Sequence, residues 1–231
     1  IFNETVKSDS NPVDRTEKFM FDGERLIQHI IKQRYFEEEI SNEVNLSYSD
    51  NQVTVTTDYL TLVYTLNSEG YASQCVYSLS SQNRIYQFSY SAEGYLTGIV
   101  ENIDDTEYSS TSLTYENGDI TSISSKMNGL ENKFIYEPGE ESSTYHLPCL
   151  GLLEIHPLTF HIEALYAGLL GKDPRHFTMH SCPAGSNDEK TVYSYGFDKK
   201  GNPSRMICQT TYAGGQASYY PYTRNISISF E

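Results

Sequence analysis

The feature that most restricts what this chain can fold into is a nine-residue segment that recurs without gaps. Tyr64-Thr65-Leu66-Asn67-Ser68-Glu69-Gly70-Tyr71-Ala72, Phe88-Ser89-Tyr90-Ser91-Ala92-Glu93-Gly94-Tyr95-Leu96 and Tyr195-Gly196-Phe197-Asp198-Lys199-Lys200-Gly201-Asn202-Pro203 align residue for residue. Leu113-Thr114-Tyr115-Glu116-Asn117-Gly118-Asp119-Ile120 joins them once one turn position is removed. Each copy sets two bulky residues around a small one, adds a polar turn ending in glycine, and resumes with an apolar run. Alternation at period two marks a half-buried strand, and glycine supplies the positive φ of a tight hairpin turn. Each copy therefore reads as a β-hairpin. Gly70, Gly94 and Gly118 recur every 24 residues, so successive hairpins have equal length, as in a meander.

Shorter echoes extend the pattern at Phe19-Met20-Phe21-Asp22-Gly23, Leu46-Ser47-Tyr48-Ser49-Asp50-Asn51 and Phe134-Ile135-Tyr136-Glu137-Pro138-Gly139. Two strands per echo and a closing strand over 224–230 predict about fourteen to fifteen strands. Turn positions are assigned to Gly23, Gly70, Gly94, Gly118, Gly139 and Gly201. After the turn, apolar residues recur at a spacing of three, as in Leu96 with Ile99 and Ile120 with Ile123, where a regular strand would space them at two. A β-bulge reconciles the two spacings and bends the sheet. The expected fold is all-β: a long antiparallel meander of repeated hairpins forming a curved sheet or a partly open barrel.

A stretch from about 145 to 190 breaks the repeat. Within it Ile162, Leu165, Tyr166, Leu169 and Leu170 follow the helical i, i+3, i+4, i+7, i+8 pattern between Pro157 and Gly171. This predicts one amphipathic helix near 157–171, packed across or plugging the concavity, with Glu163 and Lys172 on its wet side. Arg25 to Glu39 fits either a helix or a strand. Residues 1–14 are read as an N-terminal tail and 15–231 as one domain, a size that all-β units reach.

The chain carries 31 acidic against 16 basic residues, a net charge of −15. Such a surface repels phosphate backbones, which excludes nucleic acid as a partner. No window approaches the ~18 consecutive apolar residues of a spanning helix, so no transmembrane helix is expected. The opening Ile1-Phe2-Asn3-Glu4-Thr5 has neither the basic start nor the apolar core of a signal peptide, and the sequence is read as a mature or trimmed chain.

Five of the six histidines lie in or beside the insertion: His146, His156, His161, His176 and His180. His176 and His180 would share a face and, with Cys182 or Glu163, offer ligands to a divalent ion, although no complete zinc spacing is present. His176, His180 and Cys182 are carried as candidate ligands, and no cofactor is assigned. Among the four cysteines, Cys149 and Cys182 flank the predicted helix and form the candidate disulfide; Cys75 and Cys208 occupy apolar strand positions. The acidic runs Glu37-Glu38-Glu39 and 101–107 read as solvated turns. Asp104-Asp105 lacks the alternate-residue spacing of a calcium loop, and no Gly-x-Ser-x-Gly is present, so no catalytic residue is assigned. Tyr219, Tyr220 and Tyr222, together with the repeat residues Tyr71 and Tyr95, are candidate binding groups, because a phenol ring offers contact area with a polar tip. Tyrosine is equally a favoured strand residue whatever the function.

The aromatic-x-aromatic, polar turn, glycine, aliphatic hairpin resembles the YD-type repeats of bacterial surface proteins, with the Tyr-Asp pair surviving as Phe197-Asp198 and Phe21-Asp22. The wider arrangement, with Tyr166-Ala167-Gly168-Leu169-Leu170-Gly171-Lys172 in a helical insertion before the final hairpins, resembles a secreted Bacteroidota family of unknown function described as porin-like in fold. The match runs from about residue 15 onward. The resemblance implies an exported domain, in the periplasm or on the cell surface, of a kind often lipid-anchored through an upstream residue. It brings no activity and no catalytic residues.

Three functional readings follow. The leading one is a non-enzymatic envelope or surface module binding a glycan, peptide or protein. A second is a glycan-processing hydrolase with acids converging in the concavity, recognisable by two carboxylates of raised pKa in a deep cleft. The third is an outer-membrane barrel, since lipid–lumen alternation resembles core–solvent alternation.

Overall fold

The computed structural model describes residues 2–7, 13–35, 38–79, 82–142, 155–186, 189–212 and 222–228. These form sixteen strands that follow one another around a closed antiparallel barrel. In chain order they are β1 (Phe2–Lys7), β2 (Val13–Asp22), β3 (Arg25–Tyr35), β4 (Glu38–Tyr48), β5 (Gln52–Thr56), β6 (Thr61–Leu66), β7 (Ala72–Leu79) and β8 (Gln82–Tyr90). The second half comprises β9 (Leu96–Ile103), β10 (Thr106–Glu116), β11 (Asp119–Met127), β12 (Leu130–Ser142), β13 (His176–Pro183), β14 (Glu189–Phe197), β15 (Pro203–Tyr212) and β16 (Tyr222–Ile228). Each strand pairs with its sequence neighbour, and β1 closes the ring by pairing Phe2 with Ile228 of β16 and with Glu17 of β2. Closure removes the exposed edges that an open sheet would present.

Two expectations change here. Part of the presumed tail is β1, a strand whose hairpin to β2 carries no glycine signal. Arg25 to Glu39, ambiguous in the sequence, contributes β3 and the start of β4 rather than a helix.

Five hairpins repeat one irregularity. The ladder slips by one residue just after the turn in β2–β3, β6–β7, β8–β9, β10–β11 and β14–β15. The bulged residues are Ile27, Ser73, Thr97, Thr121 and Ser204, and three of them return a hydroxyl to the facing strand. Ser73 donates to the Thr65 carbonyl at 3.0 Å, Thr121 to Thr114 at 3.2 Å and Ser204 to Gly196 at 3.3 Å. A bulge turns a spacing of two into three, which is why Leu96 with Ile99, Ile120 with Ile123 and Ala72 with Cys75 all face inward and are buried. Gly23, Gly70, Gly94, Gly118 and Gly201 lie at the hairpin turns with positive φ. Gly139 does not: it lies within β12, where the ladder with β13 is irregular and a Cβ would collide with the Met179 side chain.

The two faces of the sheet differ in chemistry. Val44, Leu46, Val53, Val55, Leu62 and Tyr64 point inward and are buried. The alternate positions of β4 are Glu39, Ser41, Glu43, Asn45 and Ser47; those of β10 include Ser112, Thr114 and Glu116, all exposed. The apolar set thus faces the interior, where the insertion supplies the filling.

The predicted helix is shorter than its sequence pattern. A 3-10 turn, Leu158–Phe160, is followed by α1, Ile162–Tyr166. Gly168 at φ 70° ends it, and the chain turns so that the Leu169 carbonyl accepts the Ala72 N–H of β7 at 2.7 Å. Leu158, Ala164, Tyr166, Leu169 and Leu170 are buried, whereas Ile162 and Leu165 are only partly so. Glu163, expected on the wet side, instead faces the barrel wall.

Gly171 has φ 88°, and a Cβ on it would sit 2.6 Å from the backbone oxygen of Gly94. Gly23, with φ 61°, has nothing within 4 Å. Gly171→Ala is therefore expected to cost about 1–3 kcal/mol, more than Gly23→Ala, since the backbone atom it meets cannot yield as a side chain can. Equal denaturation midpoints for the two variants would show that the insertion does not press on the β8–β9 turn.

Candidate functional site

At the end of the barrel that carries the glycine turns, the 91–95 and 117–118 turns and the segment 172–175 enclose a cleft of about 830 Å³. The insertion is fastened there twice: the Lys172 N–H donates to the Gly94 carbonyl at 2.9 Å and the Arg175 N–H to the Gly118 carbonyl at 3.0 Å. The rings of Tyr95 and Tyr115, both lining the cleft, stack with centroids 4.9 Å apart and planes inclined by 30°. Leu113, Tyr115 and Lys172 continue into an inner recess of about 20 Å³ lined by Leu96, Leu165 and Leu170, room for about one water. The cleft wall is otherwise rich in hydroxyl and amide groups, from Ser91, Thr97, Thr114 and Asn117. Glu93 is the one carboxylate that lines it, held below the usual range by the Ser91 hydroxyl and, in smaller part, by the Lys172 charge.

Two charge clusters lie inside the barrel. His29 is fully buried on β3, with Nδ1 2.7 Å from Glu163 Oε1 of α1 and Nε2 2.9 Å from Glu17 Oε2 of β2. Both ring nitrogens face carboxylate oxygens, an arrangement that favours the imidazolium, in which both nitrogens donate. Burial alone would lower its pKa, but the two carboxylates outweigh it and raise it. For Glu17 burial pushes the pKa up, and the His29 hydrogen bond together with Arg15, 2.7 Å away, brings it below the usual value. In the second cluster Glu101, read from sequence as part of a solvated turn, is fully buried on β9. It accepts from Ser109 Oγ at 2.7 Å, from His156 Nε2 at 2.6 Å and from Tyr86 Oη at 3.2 Å, with Arg84 also 3.2 Å away. Burial again works upward, and the His156 and Ser109 contacts prevail and lower the pKa. A general acid needs the opposite shift.

Between the clusters His161 is fully buried, its Nδ1 2.7 Å from the Tyr64 hydroxyl and its ring edge-on to Tyr86 at 4.5 Å. Burial lowers its pKa to about 3, so it is neutral at physiological pH, and Nε2 finds no partner among the described residues.

The sequence candidates are dispersed. His176 pairs with Asp119 at 2.8 Å and His180 with Glu137 at 2.9 Å, each its own carboxylate on a different strand. No group of three or more His, Cys, Asp or Glu placed to hold a metal occurs among the described residues. Cys182 carries a free thiol; Cys149, His146, Tyr219 and Tyr220 lie outside the described residues. Tyr222 opens β16 opposite Thr210. Cys75 and Cys208 are both buried, and burial pushes the Cys75 thiol up to about 12. Tyr95 lines the cleft, and Tyr71 approaches from the side, where a Cβ on Gly94 would lie 3.2 Å from its ring. Lys172 and Arg175 were not singled out as binding residues. The available signal was a pair of cations three residues apart in a strongly acidic chain, beside the Gly171 and Pro174 backbone breaks.

Residues 19–205 match the model of a domain of unknown function (DUF4595) with porin-like fold. The chain belongs to this family. A crystal structure of a porin-like protein from Bacteroides uniformis is 28% identical and superposes with a TM-score of 0.88, covering 100% of this chain and 95% of that one. A porin-like protein from Bacteroides vulgatus, 12% identical with a TM-score of 0.61 over 99% of this chain and 97% of that one, shares the fold. Comparison with curated proteins gives no match.

Proposed function

We propose that the protein is a non-catalytic, exported envelope or surface module that binds a glycan in the cleft at the glycine-turn end of the barrel. The observation that carries this reading is the stacked Tyr95–Tyr115 pair in a cleft walled by hydroxyl and amide groups. A sugar ring presents an apolar face suited to an aromatic platform and hydroxyls suited to such a wall. The hydrolase reading is weaker. The cleft has one carboxylate, where acid–base hydrolysis of a glycosidic bond uses two, and the partly buried Glu17 and the buried Glu101 are shifted downward.

An outer-membrane barrel would set an apolar band outward, and the outward positions of β4 and β10 are Glu, Ser, Asn and Thr. These positions favour an aqueous envelope compartment or an anchored surface location.

Glycan array screening of the purified protein is expected to give one reproducible class of hit, and Tyr95→Ala to weaken it by about tenfold, consistent with stacking worth about 1 kcal/mol or more. Hits confined to peptides, or glycan hits that Tyr95→Ala leaves unchanged, would overturn the assignment.

A further inference from the structure

We infer that the ligand of this cleft is an acidic oligosaccharide, whose sugar ring rests on Tyr95 and Tyr115 while a carboxylate on it pairs with Lys172 and Arg175. The inference rests on the binding reading above and adds the ligand's charge. Across a chain of net charge −15, an anion is repelled from most of the surface. The cleft reverses that locally: Lys172 and Arg175 line it against the single carboxylate Glu93.

Arg175 is positioned by the fold. Its stem lies over Gly118, where a Cβ would sit 2.5 Å from Arg175 Cδ and 2.7 Å from Tyr95 Oη, so the glycine is what lets the arginine stem and the tyrosine hydroxyl reach the same spot. Nη1 donates to the Asn117 carbonyl at 3.3 Å, and no carboxylate forms an ion pair with Arg175 among the described residues. The guanidinium has five donors in a planar fork, and the one contact to a neutral carbonyl uses a single donor of this exposed, cleft-lining side chain. That fork matches the two oxygens of a carboxylate. Lys172, whose backbone N–H is held by the Gly94 carbonyl, adds a second cation to the lining, and its side-chain Cε lies 3.5 Å from where a Cβ on Gly94 would sit. A neutral sugar would leave the Arg175 guanidinium without a counter-charge, and a peptide side chain would gain little from the hydroxyl-rich wall.

The test is calorimetric titration of the whole protein with oligogalacturonate, a neutral oligosaccharide of matched length, a sulfated oligosaccharide and an acidic peptide. Oligogalacturonate is expected to bind roughly tenfold or more tightly than the neutral sugar, with an advantage that shrinks as added salt shortens the Debye length. Arg175→Gln should abolish that advantage, Lys172→Met should reduce it, and Tyr95→Ala should weaken both sugars together. Thermal unfolding of each variant checks that the fold is kept, and Lys172→Met, the milder change, carries the test if Arg175→Gln is unstable. Equal affinity for neutral and acidic sugars, lost in Tyr95→Ala, would overturn the charge assignment and leave glycan binding standing. Equal binding of the sulfated sugar would overturn the carboxylate assignment. Arg175-dependent binding of the acidic peptide alone, or no binding of any sugar, would overturn both.

Discussion

His29→Leu is expected to destabilise the protein by about 3–5 kcal/mol, because it leaves Glu163 and Glu17 facing each other inside the barrel without the cation between them. The double variant His29→Leu with Glu163→Leu should recover much of that loss, since the uncompensated carboxylate goes with its partner. Denaturant unfolding checks both, and a double variant no more stable than the single one would show that the pair does not act as a unit. The same contacts predict a pH dependence. The pKa of His29 is raised above its unfolded value of about 6.5, so its contribution is complete below that pH and is lost as pH rises through the folded value. His161 acts in the opposite direction. Its pKa falls to about 3, so the unfolded chain binds the extra proton below pH ~6.5 and stability is lost as pH falls from there toward 3. Stability should peak near neutrality. His29→Leu should flatten the alkaline limb and His161→Phe the acid one; a profile unchanged by either would contradict the burial assigned to these rings.

The architecture was legible because the repeat writes backbone geometry directly into side chains. Gly70, Gly94 and Gly118 mark turns through φ, and the three-residue spacing of Leu96 with Ile99 marks the bulge. β1 was not legible, since its apolar pattern is only Phe2 and Val6 and the Ser8-Asp9-Ser10-Asn11-Pro12 run after it lacks the glycine that marks the repeat turns. The helix was overestimated because Leu169 and Leu170 continue the helical spacing by coincidence. They are buried in the turn after Gly168, outside the helix that ends at Tyr166.

Burial of charge was the least legible property. Glu101 sits in an acidic run that reads as solvent-facing, and only the register of β9 against β10, which sets Ser109 opposite it, turns it inward. Glu163 was misplaced for a related reason: its helical position is polar by pattern, and the cation that accepts it, His29, is 134 residues away in sequence. Periodicity reports which face is apolar. It cannot report a polar group that is buried because a distant partner completes it.

Leu158→Ala is expected to cost about 2–5 kcal/mol, and it separates the insertion's role as filling from its role as a cleft wall. Leu158 is fully buried in the 3-10 turn that enters the barrel, and an inward-facing wall closed on itself can shrink little around a lost side chain. Leu165, by contrast, is only partly buried and lines the recess beneath the cleft. Sequence pattern alone would rank Leu165 as the more damaging truncation, since it lies at the centre of the apolar stripe, whereas the structure ranks Leu158 well above it. Urea unfolding of the two variants side by side decides the matter. If Leu158→Ala left the midpoint where it was, the insertion would not be the filling of the barrel. A loss for Leu165→Ala equal to or larger than that for Leu158→Ala would mean that the helical stripe, rather than the entering turn, forms its anchored face.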